Sequence, residues 1–150
     1  MNIQSVRYTQ PDENWVEITF DGDSKGTTST TDGVRRQYTD QLDEWLGEGN
    51  TIDPYDKYYG MTLAEVKEQN QNKCDSDTSA NIYASISAET QMNTANGLLE
   101  QSVAEIIKSE ISTALSENTG FIADIEILTS NAQIDAYMAQ IERTPMTGGR

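Results

Sequence analysis

Leu98-Leu-Glu-Gln-Ser-Val-Ala-Glu-Ile-Ile-Lys-Ser-Glu-Ile-Ser-Thr-Ala-Leu-Ser116 decides how this 150-residue chain is organised. At 100° per residue, Leu99, Val103, Ile106, Ile107 and Ile111 gather on one side, and Ala114, Met92 and Ala95 extend the stripe in both directions. An apolar stripe of that kind marks an amphipathic helix, and its face must be covered by something. The spacing predicts a helix over 98–116 and nominates Leu99, Val103, Ile106, Ile107 and Ile111 as interaction residues.

Downstream, Asn118-Thr-Gly120 is expected to stop that helix, with Phe121, Ile125 and Leu128 opening a second, short one. Ser130-Asn-Ala-Gln133 resembles a capping box and leads into Ile134, Tyr137, Met138 and Ile141. Residues 144–150, Thr-Pro-Met-Thr-Gly-Gly-Arg, read as a loose tail. Upstream, residues 78–99 carry Glu89 as their only charge and are otherwise dominated by Ser, Thr, Asn, Gln and Ala. Such a stretch suits either close association between chains or a half-buried helix of the monomer, with an interruption near Asn96-Gly97. Further back, Thr62-Leu-Ala-Glu65 is a capping box, in which the Thr hydroxyl and the Glu carboxylate each accept an amide at a helix start. A mostly polar helix is expected from there through Asp77.

The first third has a different period. In Trp15-Val-Glu-Ile-Thr-Phe20 the apolar Val16, Ile18 and Phe20 alternate with Glu17 and Thr19, the two-residue repeat of a half-buried strand. Residues 3–8 and the Thr-rich 26–31 complete a predicted meander, with turns at Pro11-Asp12 and Asp21-Gly22. Val34, Tyr38, Leu42 and Trp45 then return to helical spacing, with Asp32 as a plausible N-cap and Gly47 and Gly49 as the stop. Trp15 and Trp45 are expected to pack between strand two and this helix. Residues 50–60 read as a connector whose tyrosines cover the sheet edge. The resulting class is α+β: a small N-terminal antiparallel β-meander packed on one helix (residues 1–60, a docking module), followed by an extended C-terminal helical region (61–150, an assembly region).

Composition narrows the function. Leu, Ile, Val and Phe supply only 27 of 150 residues, so the chain is short of core material, and the deficit points to a homo-oligomer or a partner that completes burial. The formal charge is −15; an acidic surface repels phosphate backbones and anionic lipid, so no nucleic acid and no membrane are expected as partners. No histidine is present and Cys74 is the single cysteine, which removes imidazole-based metal sites, His-dependent triads and internal disulfides. Residues 21–32 imitate a calcium loop, with Asp21, Asp23, Gly26 and Asp32 at its positions 1, 3, 6 and 12. Lys25 at a ligand position and Asp32 in place of the bidentate Glu argue for an ordinary hairpin turn. Carboxylate pairs such as Asp40 with Asp43, or Asp53 with Asp56, read as solvated surface. Cys74 beside Asp75 reads as a packing or surface thiol, since negative neighbours disfavour a thiolate. No catalytic residue, cofactor or metal is expected, and the chain is read as not an enzyme. Its N-terminus lacks a basic region and an apolar run, consistent with synthesis in the cytoplasm without a targeting segment.

The order of features resembles the phage tail-fibre assembly and tail accessory proteins over residues 1 to about 96. The carriers are the strand-rich start, Gln41-Leu-Asp-Glu-Trp-Leu-Gly-Glu-Gly-Asn50, the acidic Pro-containing connector, Leu63-Ala-Glu-Val-Lys-Glu68 leading to Cys74-Asp75, and Glu89-Thr-Gln-Met-Asn93. The resemblance implies a non-enzymatic virion tail component made in a host, with tail fibre or baseplate proteins as partners. The last fifty residues are longer and more apolar than that pattern, which favours a permanent structural subunit over a transient chaperone. An acidic DNA mimic that inhibits a host nucleic-acid enzyme is the alternative.

Overall fold

The structure is a computed structural model that describes residues 1–31 and 37–150. In chain order it contains β1 (Ile3–Tyr8), β2 (Trp15–Phe20), β3 (Lys25–Ser29), α1 (Thr39–Gly47), α2 (Leu63–Ser85), α3 (Ala88–Ala95), α4 (Gln101–Glu126) and α5 (Asn131–Gln140). These fall into two compact units, Met1–Tyr59 and Gly60–Arg150. The class is α+β.

In the first unit the strands form an antiparallel meander, with Val6 opposite Ile18 and Ile18 opposite Gly26. Because side chains alternate across a strand, Val16, Ile18 and Phe20 share one face, and they are buried there with Val6 and with Leu42 of α1. Trp45 and Tyr38 pack on the margin of this core. Trp15 does not join it. The same alternation places Trp15 on the opposite face with Glu17 and Thr19, which corrects the expectation that both tryptophans share the core. On that face Glu17 accepts from Arg7 (3.2 Å) and Lys25 (3.0 Å), tying all three strands together. Burial works to raise the Glu17 pKa, but the Lys25 hydrogen bond and the charges of Arg7 and Lys25 outweigh it, and the net direction is down.

The turn at 21–24 is a hairpin, with Gly22 and Asp23 at positive φ and the Asp23 amide donating to the Phe20 carbonyl at 3.1 Å. Helix α1 starts later than its periodicity suggests. Tyr38 has φ 72°, a left-handed value that cannot lie inside a right-handed helix, so Leu42 and Trp45 are helical and Tyr38 is not. Val34 and the proposed cap Asp32 lie outside the described residues. The Tyr38 ring instead packs on Phe20 with the rings tilted at 55° and their centroids 5.0 Å apart, and a Cβ at Gly26 would stand 2.5 Å from it. The connector covers the β1 edge mainly through its backbone, since Tyr8 N–H donates to the Asp53 carbonyl and Asp53 N–H to that of Val6. Of its tyrosines, Tyr59 receives the Arg7 guanidinium 3.5 Å from its ring centroid.

The second unit begins with both halves of the Thr62–Glu65 capping box formed. From there α2 runs unbroken through the polar 69–79 stretch to Ser85, burying Val66, Asn70, Cys74, Thr78 and Ile82. A line of every fourth residue is a helix ridge, the kind of surface that packs into a neighbouring helix's groove. That neighbour is α4. Lys67 bonds to the Glu126 carbonyl, Gln71 to the Ile122 carbonyl (3.1 Å), and Thr78 to Asn118 (3.1 Å), so the partners descend as α2 advances and the two helices are antiparallel. Besides the expected interruption at Asn96-Gly97, where Gly97 takes φ 68°, the chain breaks at Ile86-Ser87, and Ser87 caps α3.

The largest departure from the sequence reading is the length of α4. Asn118-Thr-Gly120 does not stop it; the helix passes through to Glu126 and absorbs Phe121 and Ile125. Its buried positions, Ile107, Ala114, Asn118 and Ile125, keep one face across the expected break. A buried Asn with partners outweighs the weak helix propensity of the Asn-Thr-Gly run, which amounts to about 1 kcal/mol for the glycine. Helix α5 is capped by Ser130, while Gln133 reaches one residue further back than a capping box requires and accepts from the Thr129 amide (2.8 Å). It returns to the pair through fully buried Ile134 and through a Tyr137 hydroxyl that donates to Asp124 (2.8 Å).

Candidate assembly groove

Residues 141–150 are the second correction, because they are not a loose tail. After α5 the backbone turns extended at Ile141 (φ −62°, ψ 134°) and travels back along α2 and α4 as a strap. Arg143 donates to the Thr78 hydroxyl and to the Cys74 carbonyl (3.3 Å), with its guanidinium 5.0 Å from the Phe121 ring centroid. Thr144 presents both its amide and its hydroxyl to Glu117. Thr147 repeats the arrangement on Glu110, with amide and hydroxyl at 2.7 and 2.6 Å, and Gly148 N–H adds a third bond at 3.0 Å. The Glu110 pKa is held below the usual carboxylate value, first by the Thr147 hydroxyl; burial opposes this, and the amides of residues 147–149 add to the lowering.

The register follows from helix and strand geometry. Glu110 and Glu117 are seven residues apart, ~10.5 Å along a helix. Thr144 and Thr147 are three apart, ~10 Å in extended chain. Two helical turns therefore match three strap residues, and the clamp repeats. At the far end Gly148 and Gly149 adopt φ 68° and 84°; a Cβ at Gly148 would clash with the Ser85 carbonyl, and one at Gly149 would press tightly on Ile107 and Val103, 3.0 and 3.1 Å away. Only glycine satisfies the backbone and the space together.

Beneath the strap lies a polar layer. Thr78 donates to Asn118, Asn118 donates to Asp75 (2.6 Å), and Arg143 donates to Thr78 from the strap side. Among the described residues no buried side-chain polar atom lacks a hydrogen-bond partner. Cys74 is fully buried next to this layer, with its sulfur 3.8 Å from that of Met138, and burial pushes its thiol pKa up, helped by Asp77 and Asp75 and opposed chiefly by Arg143.

The interaction residues nominated from sequence divide accordingly. Ile107 is fully buried inside its own chain. Leu99 precedes α4, which starts at Gln101 and not at residue 98 as the spacing predicts; Leu99, Val103 and Ile111 are half-buried, Val103 facing Gly149 of the strap. Ile106 remains 44% exposed. Sequence reasoning missed Glu110, Glu117, Arg143, Thr144 and Thr147, whose one visible signal was the matched spacing of the two Glu and the two Thr. No group of three or more potential metal-ligating residues occurs among the described residues, and no described helix is long and apolar enough to cross a membrane. No protein-family model, curated protein or solved structure matches this chain.

Proposed function

We propose that this chain is a non-enzymatic tail accessory or virion structural protein of a phage, joining fibre or baseplate subunits through its helical unit. The observation that carries the reading is apolar surface left open on that unit: Leu98, Ile106, Leu115 and Ile127 are 70%, 44%, 53% and 77% exposed. Ile106 and Leu115, nine residues apart, stand on opposite sides of α4, so the apolar surface offered to a partner is distributed over the helical unit and not gathered in one patch. The chain divides into two compact units, and these exposed apolar side chains all belong to the second. The tail assignment draws on the resemblance of residues 1 to about 96.

Mass spectrometry of purified particles of the encoding phage tests the assignment. Stoichiometric recovery is the expected result, and absence from particles refutes the structural role. The contact surface is tested separately by Leu98→Asp with Ile106→Asp, which should abolish self- or partner-association with the helical signal intact.

A further inference from the structure

We propose that the groove between α2 and α4 is a peptide-acceptor site, filled in cis by residues 141–150, and that its other occupant is the same segment of a second copy, so that copies link by exchanging straps. This inference rests on the assembly reading and supplies its linking element. The strap is bound as a ligand is bound. It is extended, and its amides at Thr144, Thr147 and Gly148 go to carboxylates of α4 instead of to its own backbone. Each Thr is read twice, by amide and by hydroxyl, Arg143 enters a buried layer, and the paired glycines fill the narrow end. Recognition of that detail by side chains of the groove is transferable: an identical segment from a neighbour makes every one of the same contacts.

The joint for exchange is at Ile141, where α5 ends and extended chain begins. An empty groove would uncover Ile107 and the Thr78–Asn118 layer, so a departing strap must be replaced. In cis the strap benefits from a high effective concentration, on the order of millimolar for short connections. Exchange is therefore favoured where neighbouring copies are held side by side, as in a ring or fibre, and a dilute chain keeps its own strap. Swapping an identical element leaves the contact set unchanged and alters only the connectivity.

The test uses full-length chains and a fluorescein-labelled peptide of residues 141–150. Thr144→Val with Thr147→Val loosens the resident strap while leaving Glu110 and Glu117 in place. The peptide should bind this variant at least about tenfold more tightly than wild type by anisotropy, and adding Glu110→Ala with Glu117→Ala should cancel the gain. Equal binding to wild type and variant, with native circular dichroism, overturns the proposal. A second measurement avoids dependence on that variant's folding and leaves the clamps intact: a Thr113→Cys copy is mixed at high concentration with a Met146→Cys copy, two positions that line one cleft between α4 and the strap, and a short bismaleimide is added, Cys74 being fully buried. Covalent dimers should form well above the level given by an Asp12→Cys copy, whose site lies on an exposed turn of the other unit; equal yields overturn exchange. A chain found in particles that fails both measurements keeps the proposed function and loses this inference.

Discussion

Replacing Asn118 by Ala tests whether the polar layer holds α2 and α4 together. The substitution removes the acceptor of the Thr78 hydroxyl and the donor to Asp75. Thr78 is 2% exposed, so water does not replace the lost acceptor and the unsatisfied hydroxyl costs ~1–3 kcal/mol. Asp75 is exposed and is rehydrated, which keeps the second loss to about 1 kcal/mol. Lost packing of a buried side chain adds to both, for a total of about 2–4 kcal/mol. In a domain of this size each kcal/mol lowers Tm by ~4–8 °C, so the expected shift is at least ~8 °C. The two units can be followed separately. Both tryptophans, Trp15 and Trp45, lie in Met1–Tyr59, whereas α2 to α5 lie in Gly60–Arg150. Far-UV circular dichroism should therefore show an early helical melt while tryptophan fluorescence holds its wild-type midpoint. An unchanged helical midpoint refutes the role of the layer, and equal shifts of both signals refute the independence of the units.

Gly120 sits inside α4 with nothing within 4 Å of where a Cβ would stand, so Gly120→Ala should stabilise the helical melt by ~0.5–1 kcal/mol, read by urea titration. Gly26→Ala should have the opposite effect on the first unit, ~1–3 kcal/mol seen in tryptophan fluorescence, because its Cβ would collide with the Tyr38 ring. Thr62→Ala removes one half of the α2 capping box and should lower the helical midpoint by ~0.5–2 kcal/mol. Because the folded Glu110 pKa lies below its unfolded value, its hold on the strap is complete above the ordinary Glu range of ~4.3 and is lost as pH falls through the lowered folded value. Amides of Thr147 and Gly148 should gain exchange protection as pH rises across that interval; protection independent of pH there would exclude the Glu110 clamp.

The strands were legible because a two-residue alternation states both the element and its buried face, as Val16, Ile18 and Phe20 do. Trp15 was misplaced by treating its size as stronger information than its parity. The capping box at Thr62 was legible because its whole mechanism is contained in four consecutive residues. Asn118-Thr-Gly120 was misread for the opposite reason: what keeps that stretch helical is Thr78 and Asp75, some forty residues away. The strap was invisible for the same reason, since an extended polar segment has no periodicity of its own and takes its conformation from the surface it lies on. In the stripe that opened the sequence reading, periodicity identified a face that needs cover and could not say that the chain itself supplies part of it.

The matched spacing of Glu110 and Glu117 with Thr144 and Thr147 makes the strap and α4 a vernier. Two scales with nearly commensurate divisions stay aligned for several repeats, because the mismatch per repeat is only about half an ångström. Such a device grips well and positions poorly, since a segment could slide by one division and find the next clamp. The parts of the strap that do not repeat, Arg143 in its buried layer and the two glycines against Ser85 and Ile107, therefore act as the end-stops that fix the zero of the scale.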